Sequence, residues 1–202
     1  MTPRPYRMAR RRETTEENRL RIIDAARELL AAQDGMPKFS MEEVARRAGV
    51  ARMTVYYQFG SLRGLLEGLC DSLAQAGGMG HLEDAFRKPD AVDALDEFIA
   101  VFMRFWESDR DVRRGLGAFA VLDPEFAAVL ENRSGWRRKG LRVLLDRLAK
   151  ETGRPKRKQI DEALDLLYML TDFHTYDSLV DSGRSTGQVT KMLQQLARQT
   201  LA

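Results

Sequence analysis

The chain has 202 residues, 44% hydrophobic and 31% charged, the balance of a soluble globular protein and not of a disordered or fibrous one. No apolar run approaches the ~18–20 residues of a membrane helix, no apolar stretch follows the basic N-terminus as in a signal peptide, and the single cysteine, Cys70, excludes an internal disulfide. A reducing, cytoplasmic setting is therefore expected. The net charge of +3 is unevenly placed: residues 1–60 hold twelve Lys/Arg against eight Asp/Glu, and the rest hold 21 against 22.

Arg4, Arg7, Arg10, Arg11 and Arg12 precede the first acid, Glu13. Residues 1–13 are expected to be a disordered basic arm, either a solvated tail or a segment that neutralises phosphates and releases counterions. Thr14 stands three before Glu17, a capping-box spacing, and Leu20, Ile23, Ala26 and Leu30 then form an apolar helical stripe. Asp34-Gly35-Met36-Pro37 ends that helix. Ser40 with Glu43 opens a second, short helix reaching Ala48, and a third runs from Arg52 to Tyr57. Phe59-Gly60-Ser61 turns the chain into a fourth helix beginning near Leu62. After a break at Gly77 to Gly80, helices are expected at 90–107, 110–121, 124–151, 159–181 and 187–201. No segment alternates with period two. The expected fold is all-α: the arm, a three-helix helix-turn-helix domain over 14–61, and a larger helical domain over 62–202, with the boundary along the fourth helix.

The second and third helices carry the chemistry. Ala45 and Ala48 are small enough for a close helix crossing, and Gly49 suits a left-handed turn. Val44, Val50, Val55 and Phe59 are spaced to point back at the first helix. Arg52, Met53, Thr54 and Tyr57 are left facing outward at the start of the third helix, where a helix-turn-helix meets base edges in the major groove.

Phe39, Val44-Ala45, Ala48-Gly49-Val50, Thr54-Val55-Tyr56, Phe59, Ser61 and Leu65-Leu66 stand in the spacing of the tetracycline-repressor (TetR) family of regulators, which residues 15–70 resemble; the rest is similar in length, helicity and layout. The resemblance implies that Arg52, Met53 and Thr54 approach bases or phosphates, that Tyr56, Tyr57 and Gln58 hold the DNA backbone, and that Ser40 contacts a phosphate. These roles suit a helix N-terminus and its hydroxyl. Arg52 either pairs bidentately with guanine or binds phosphate. Met53 either touches a thymine methyl or packs idly, and Tyr56 is either core or contact. Two positions depart from the family: Leu62 replaces a phosphate-binding lysine, and Gln58 replaces a histidine-like residue. Arg10, Arg11 and Arg12, with Arg63, are expected to supply the missing cations.

The resemblance further implies a C-terminal domain that binds a small-molecule effector and forms a homodimer. Phe102, Trp106, Phe119, Trp136, Tyr168, Phe173 and His174 are the ligand candidates, although a helical domain needs about as many large side chains for its core. Leu164, Leu167 and Leu179, with Val189, Met192, Leu193 and Leu196, form stripes suited to a four-helix dimer interface or to packing within the domain. Gly64 and Gly68 make the fourth helix a candidate hinge. The function expected is an operator-binding repressor, dimeric on a palindrome and released by its effector. No cofactor or metal site is expected, and enzymatic function is disfavoured because His81, His174 and Cys70 show no catalytic or metal-ligand spacing. A nonspecific architectural DNA-binding protein is the alternative, disfavoured by the near-neutral C-terminal two-thirds; an all-helical enzyme is the weaker one.

Overall fold

The computed structural model describes residues 4–32, 39–153 and 156–201, with side chains except at 4–12, 157 and 158. Eleven α-helices occur among the described residues: α1 Arg4–Ala31, α2 Met41–Ala48, α3 Arg52–Phe59, α4 Leu62–Ala76, α5 Leu82–Arg87, α6 Ala91–Glu107, α7 Arg110–Leu122, α8 Pro124–Thr152, α9 Arg157–Leu170, α10 Phe173–Asp181 and α11 Thr186–Leu201. A 3-10 turn, Met79–His81, leads into α5. The Asp34–Pro37 turn and the Arg154-Pro155 dipeptide lie outside the described residues.

Three expectations of the sequence are corrected. Helix α1 begins at Arg4, so residues 4–13 are helical rather than disordered, and Thr14 and Glu17 lie inside the helix instead of capping it. The run from 82 to 87, where no helix was expected, forms α5. The single helix expected over 159–181 is broken: α9 ends at Leu170, and Asp172 restarts the chain by accepting the His174 amide at its side chain. A serine or aspartate that finds a free amide in this way favours a new helix start over continuation.

The helices sort into two compact units. The first comprises Met1–Ser72 and Asp111–Ala127. Its core is built from Ile22, Ile23, Ala26, Leu29 and Leu30 of α1, Val44, Ala45 and Ala48 of α2, Val55 of α3, and Leu65, Leu66 and Leu69 of α4. Leu20, counted into the α1 stripe from its spacing, is exposed; the buried face runs through adjacent pairs at 22–23, 25–26 and 29–30. Helix α7 belongs here. A Cβ on Gly115 would stand 2.4 Å from the Leu30 carbonyl oxygen, and Phe119 packs edge-on between Phe39 and Phe126 with both ring centroids 5.8 Å away. This unit therefore reaches beyond the expected 14–61, because α7 and the start of α8 complete its core.

The second unit comprises Leu73–Arg110 and Ala128–Ala202. Phe98, Phe102 and Met103 of α6 meet Leu141, Leu144 and Leu145 of α8, Leu164 and Leu167 of α9, Tyr176 of α10, and Val189 and Leu193 of α11. Helix α8 is continuous through 132–135.

Candidate nucleic-acid interface

The turn between α2 and α3 is built by backbone and caps. Ser40 starts α2 by accepting the Glu43 amide at 3.2 Å. The Glu43 carboxylate takes the Arg46 guanidinium, with Nε at 2.8 Å. Gly49 follows at φ 64°, left-handed geometry that a side chain would strain. The carbonyls that α2 leaves open at Ala48 and Gly49 accept Arg21 Nη2 of α1 at 2.5 and 3.3 Å. A cation at a helix C-terminus also opposes the negative end of the helix dipole.

Helix α3 then presents a distinct outward face. Val55 is fully buried against the unit's core, whereas Met53 and Tyr57, four residues apart, are 73% and 86% exposed. Large apolar side chains so exposed on one helical face mark a contact surface more than a packing one. Arg52 lies over the Tyr56 ring with its guanidinium carbon 5.4 Å from the centroid, and donates to the Tyr56 hydroxyl at 3.3 Å. That hydrogen bond, and to a lesser extent the Glu42 carboxylate at 4.0 Å, raises the Arg52 pKa above its ordinary value. Thr54 and Tyr56 are half-buried.

Other expected contacts are placed differently. Gln58 Nε2 donates to the Thr15 carbonyl at 3.0 Å, so this side chain ties α3 to α1. Arg63, expected to help replace the missing lysine, is paired with Glu125 at 2.5 Å and stands 3.9 Å from Glu67. Arg10, Arg11 and Arg12 lie in α1, their side chains outside the described residues. Gly64 and Gly68 are packing glycines: a Cβ at Gly64 would lie 2.1 Å from the Phe59 carbonyl oxygen, and one at Gly68 would lie 3.0 Å from the Phe59 ring. Close helix approach accounts for them without a hinge.

In the second unit the aromatic candidates divide. Phe102, Trp106, Phe173 and His174 form a ladder with successive centroids 5.9, 5.6 and 5.9 Å apart, and Trp106 Nε1 donates to the Thr171 carbonyl at 2.9 Å. Tyr168 joins it through Arg137, whose guanidinium carbon is 4.2 Å from the Tyr168 centroid and 6.0 Å from that of Phe102. Phe119 does not belong to this group, since it completes the core of the first unit. Trp136 does not either; it points outward from α8 beneath Lys139, 5.0 Å from its ring.

Arg137 was not foreseen, because one arginine among many on α8 carries no sequence signal. Only 2% exposed, it donates to the Tyr168 carbonyl, to Thr171 Oγ1 at 2.8 Å, to Ser134 Oγ at 3.1 Å and to Asp172 Oδ2 at 2.9 Å. Burial pulls its pKa below the ordinary value, while the Asp172 charge works in the opposite direction. The guanidinium thus fills the break between α9 and α10.

The expected interface stripes are also corrected. Leu164, Leu167, Val189 and Leu193 are buried in the unit's own core, and Leu179 and Met192 pack against it half-buried. The reason is the antiparallel packing of α11 on α6, secured where Gln194 donates to the Asp96 carbonyl and Arg198 pairs with Asp96. Leu196 remains exposed, as does Met169 on α9.

The sequence model for bacterial regulatory proteins of the tetR family matches residues 22–69, which covers the turn and α3. A Mycobacterium tuberculosis protein named as the mycofactocin biosynthesis transcriptional regulator MftR is 32% identical over 67% of this chain and 66% of its own length. The HTH-type transcriptional regulator TtgR of Pseudomonas putida is 34% identical over 43% of this chain and 40% of its own length. The chain thus spans less than two-thirds of these curated relatives. Among solved structures, a TetR-family regulator from Rhodococcus sp. aligns with TM-score 0.71 and 19% identity over 93% of this chain and all of its own. A transcriptional regulator from Saccharomonospora viridis in complex with choline aligns with TM-score 0.69 and 18% identity over 92% and 98%.

Proposed function

Because this chain belongs to the tetR family of bacterial regulatory proteins, we propose that it is a ligand-responsive transcriptional repressor, dimeric on a palindromic operator. The observation that carries the reading is the outward face of α3. Met53 and Tyr57 stand in solvent, Arg52 is hydrogen-bonded to Tyr56 beside them, and a glycine turn braced by Arg21 supports the helix. A helix N-terminus presenting a cation and exposed flat side chains suits base edges and phosphates of the major groove. One such helix reads few bases, so two copies related by a two-fold axis are required, with Met169 and Leu196 offering exposed apolar contacts on the second unit. The Phe102, Trp106, Phe173 and His174 ladder supports a largely apolar or aromatic effector. An effector that binds better to a conformation with the wrong half-site spacing lowers DNA affinity by linkage. Footprinting of the purified protein on DNA flanking its own coding region tests the proposal. A protected palindrome is the expected result; uniform protection without a bounded site sinks it in favour of nonspecific binding.

A further inference from the structure

The cations of the DNA-binding unit are not equally available. Arg47 is held by Glu28 of α1 and Arg21 by the backbone carbonyls that end α2, contacts that tie the helix-turn-helix together, whereas Arg46 pairs with Glu43 within α2. Arg63 is different. It is the second residue of α4, only four past the end of α3, and the intervening turn is braced where Ser61 Oγ accepts the Gly64 amide at 3.1 Å. The chain there leaves α3 and starts α4, with Ser61 and Arg63 exposed at its positive end. The neighbouring position, Leu62, has no charge to offer. Yet the Arg63 guanidinium is turned onto Glu125, 62 residues further along the chain, in the first turn of α8.

We propose that Glu125 is a built-in competitor for DNA: its carboxylate occupies Arg63, and a backbone phosphate must displace it before that arginine contributes to binding. This rests on the DNA-binding reading given above. Both side chains are well exposed, 48% for Arg63 and 77% for Glu125, so the pair is weak enough for a phosphate to exchange with it. Asp123 caps α8 by accepting the Phe126 amide at 3.0 Å, and Pro124 fills the first helical position, so the geometry that delivers Glu125 is fixed locally. Glu67, 3.9 Å from Arg63 on the same helix, is the lesser partner.

The test is a double-mutant cycle on the full-length protein, with the variants Glu125→Gln, Arg63→Met and both together. Binding to a labelled random-sequence duplex of about 30 base pairs is followed by fluorescence anisotropy between about 50 and 200 mM NaCl. In the parent background Glu125→Gln should tighten binding by about two- to five-fold. Arg63→Met should weaken binding and reduce the slope of log affinity against log salt by about 0.9. In the Arg63→Met background Glu125→Gln should have no effect. Equal tightening in both backgrounds would mean that Glu125 acts only as a nearby negative charge, and it overturns the proposal; so does an unchanged salt slope for Arg63→Met. Failure of the parent protein itself to bind the duplex overturns the DNA-binding reading, an outcome distinct from either of these.

Discussion

Arg137→Met removes a buried cation while keeping most of its length and volume. The magnitude follows from what is left behind. Breaking a buried ion pair by deleting one partner costs about 3–5 kcal/mol when the other charge stays buried. Asp172 is 35% exposed and regains water, so the lower part of that range applies. The Tyr168 carbonyl loses its donor, whereas Thr171 keeps its own bond to the Leu167 carbonyl at 2.7 Å. A loss of roughly 3 kcal/mol is expected, which for a chain of this size lowers the melting temperature by about 6–12 °C. Circular dichroism at 222 nm on heating measures it. Arg137→Lys should fall between, since an ammonium cannot bond both the Tyr168–Thr171 side and the Ser134–Asp172 side. A Met variant melting within about 2 °C of the parent would refute the view that this arginine secures the α9–α10 break.

Gly64→Ala should cost about 1–3 kcal/mol, visible as a lower melting temperature, because the new methyl meets the Phe59 backbone oxygen, which cannot rotate away. Arg52→Ala should leave the melting temperature unchanged but weaken operator binding by about 10- to 100-fold, and competition among base-substituted operators should show relaxed preference at one position if Arg52 reads guanine. The buried Tyr176 phenol, bonded to Thr186 at 2.8 Å, has its pKa raised above 10.0, by desolvation first. The folded chain therefore keeps this proton after the unfolded chain has lost it. That contribution is complete below about pH 10 and disappears as the pH rises further. Urea titrations at about pH 9 and pH 11 should show a smaller alkaline loss for Tyr176→Phe than for the parent.

The helix-turn-helix was legible because local chemistry specifies it: Ser40 is a cap, Gly49 a left-handed turn, and Val44 and Val55 bury as their spacing demands. What could not be read depends on partners distant in sequence. Arg21 as a cap for α2, Gln58 as a tie to α1 and Arg63 as a partner of Glu125 join positions 27, 43 and 62 residues apart. The α9–α10 break was missed for a different reason. At 100° per residue Leu167 and Tyr176 fall on opposite sides of a continuous helix, yet both are buried. The apolar period therefore changes phase near Thr171, and a reading that accepts any residue three or four along does not register the shift. The same permissiveness left Leu164, Leu167, Val189 and Leu193 open between an interface and packing within the domain, since a stripe shows that a face is covered without showing by what.

The first unit draws its core from two stretches of chain, with Gly115, Phe119 and Phe126 lying far downstream of the helices they cover. The helix-turn-helix unit is for that reason not an exchangeable cassette. A chimera joined within α4 would carry the helix-turn-helix but leave Leu30 and Phe39 facing a foreign α7. A successful graft must take residues 111–127 along, or select an acceptor with a glycine where Gly115 meets the Leu30 carbonyl and an aromatic ring where Phe119 meets Phe39. In this architecture, changing the exposed face of α3 by substitution disturbs less than swapping the unit.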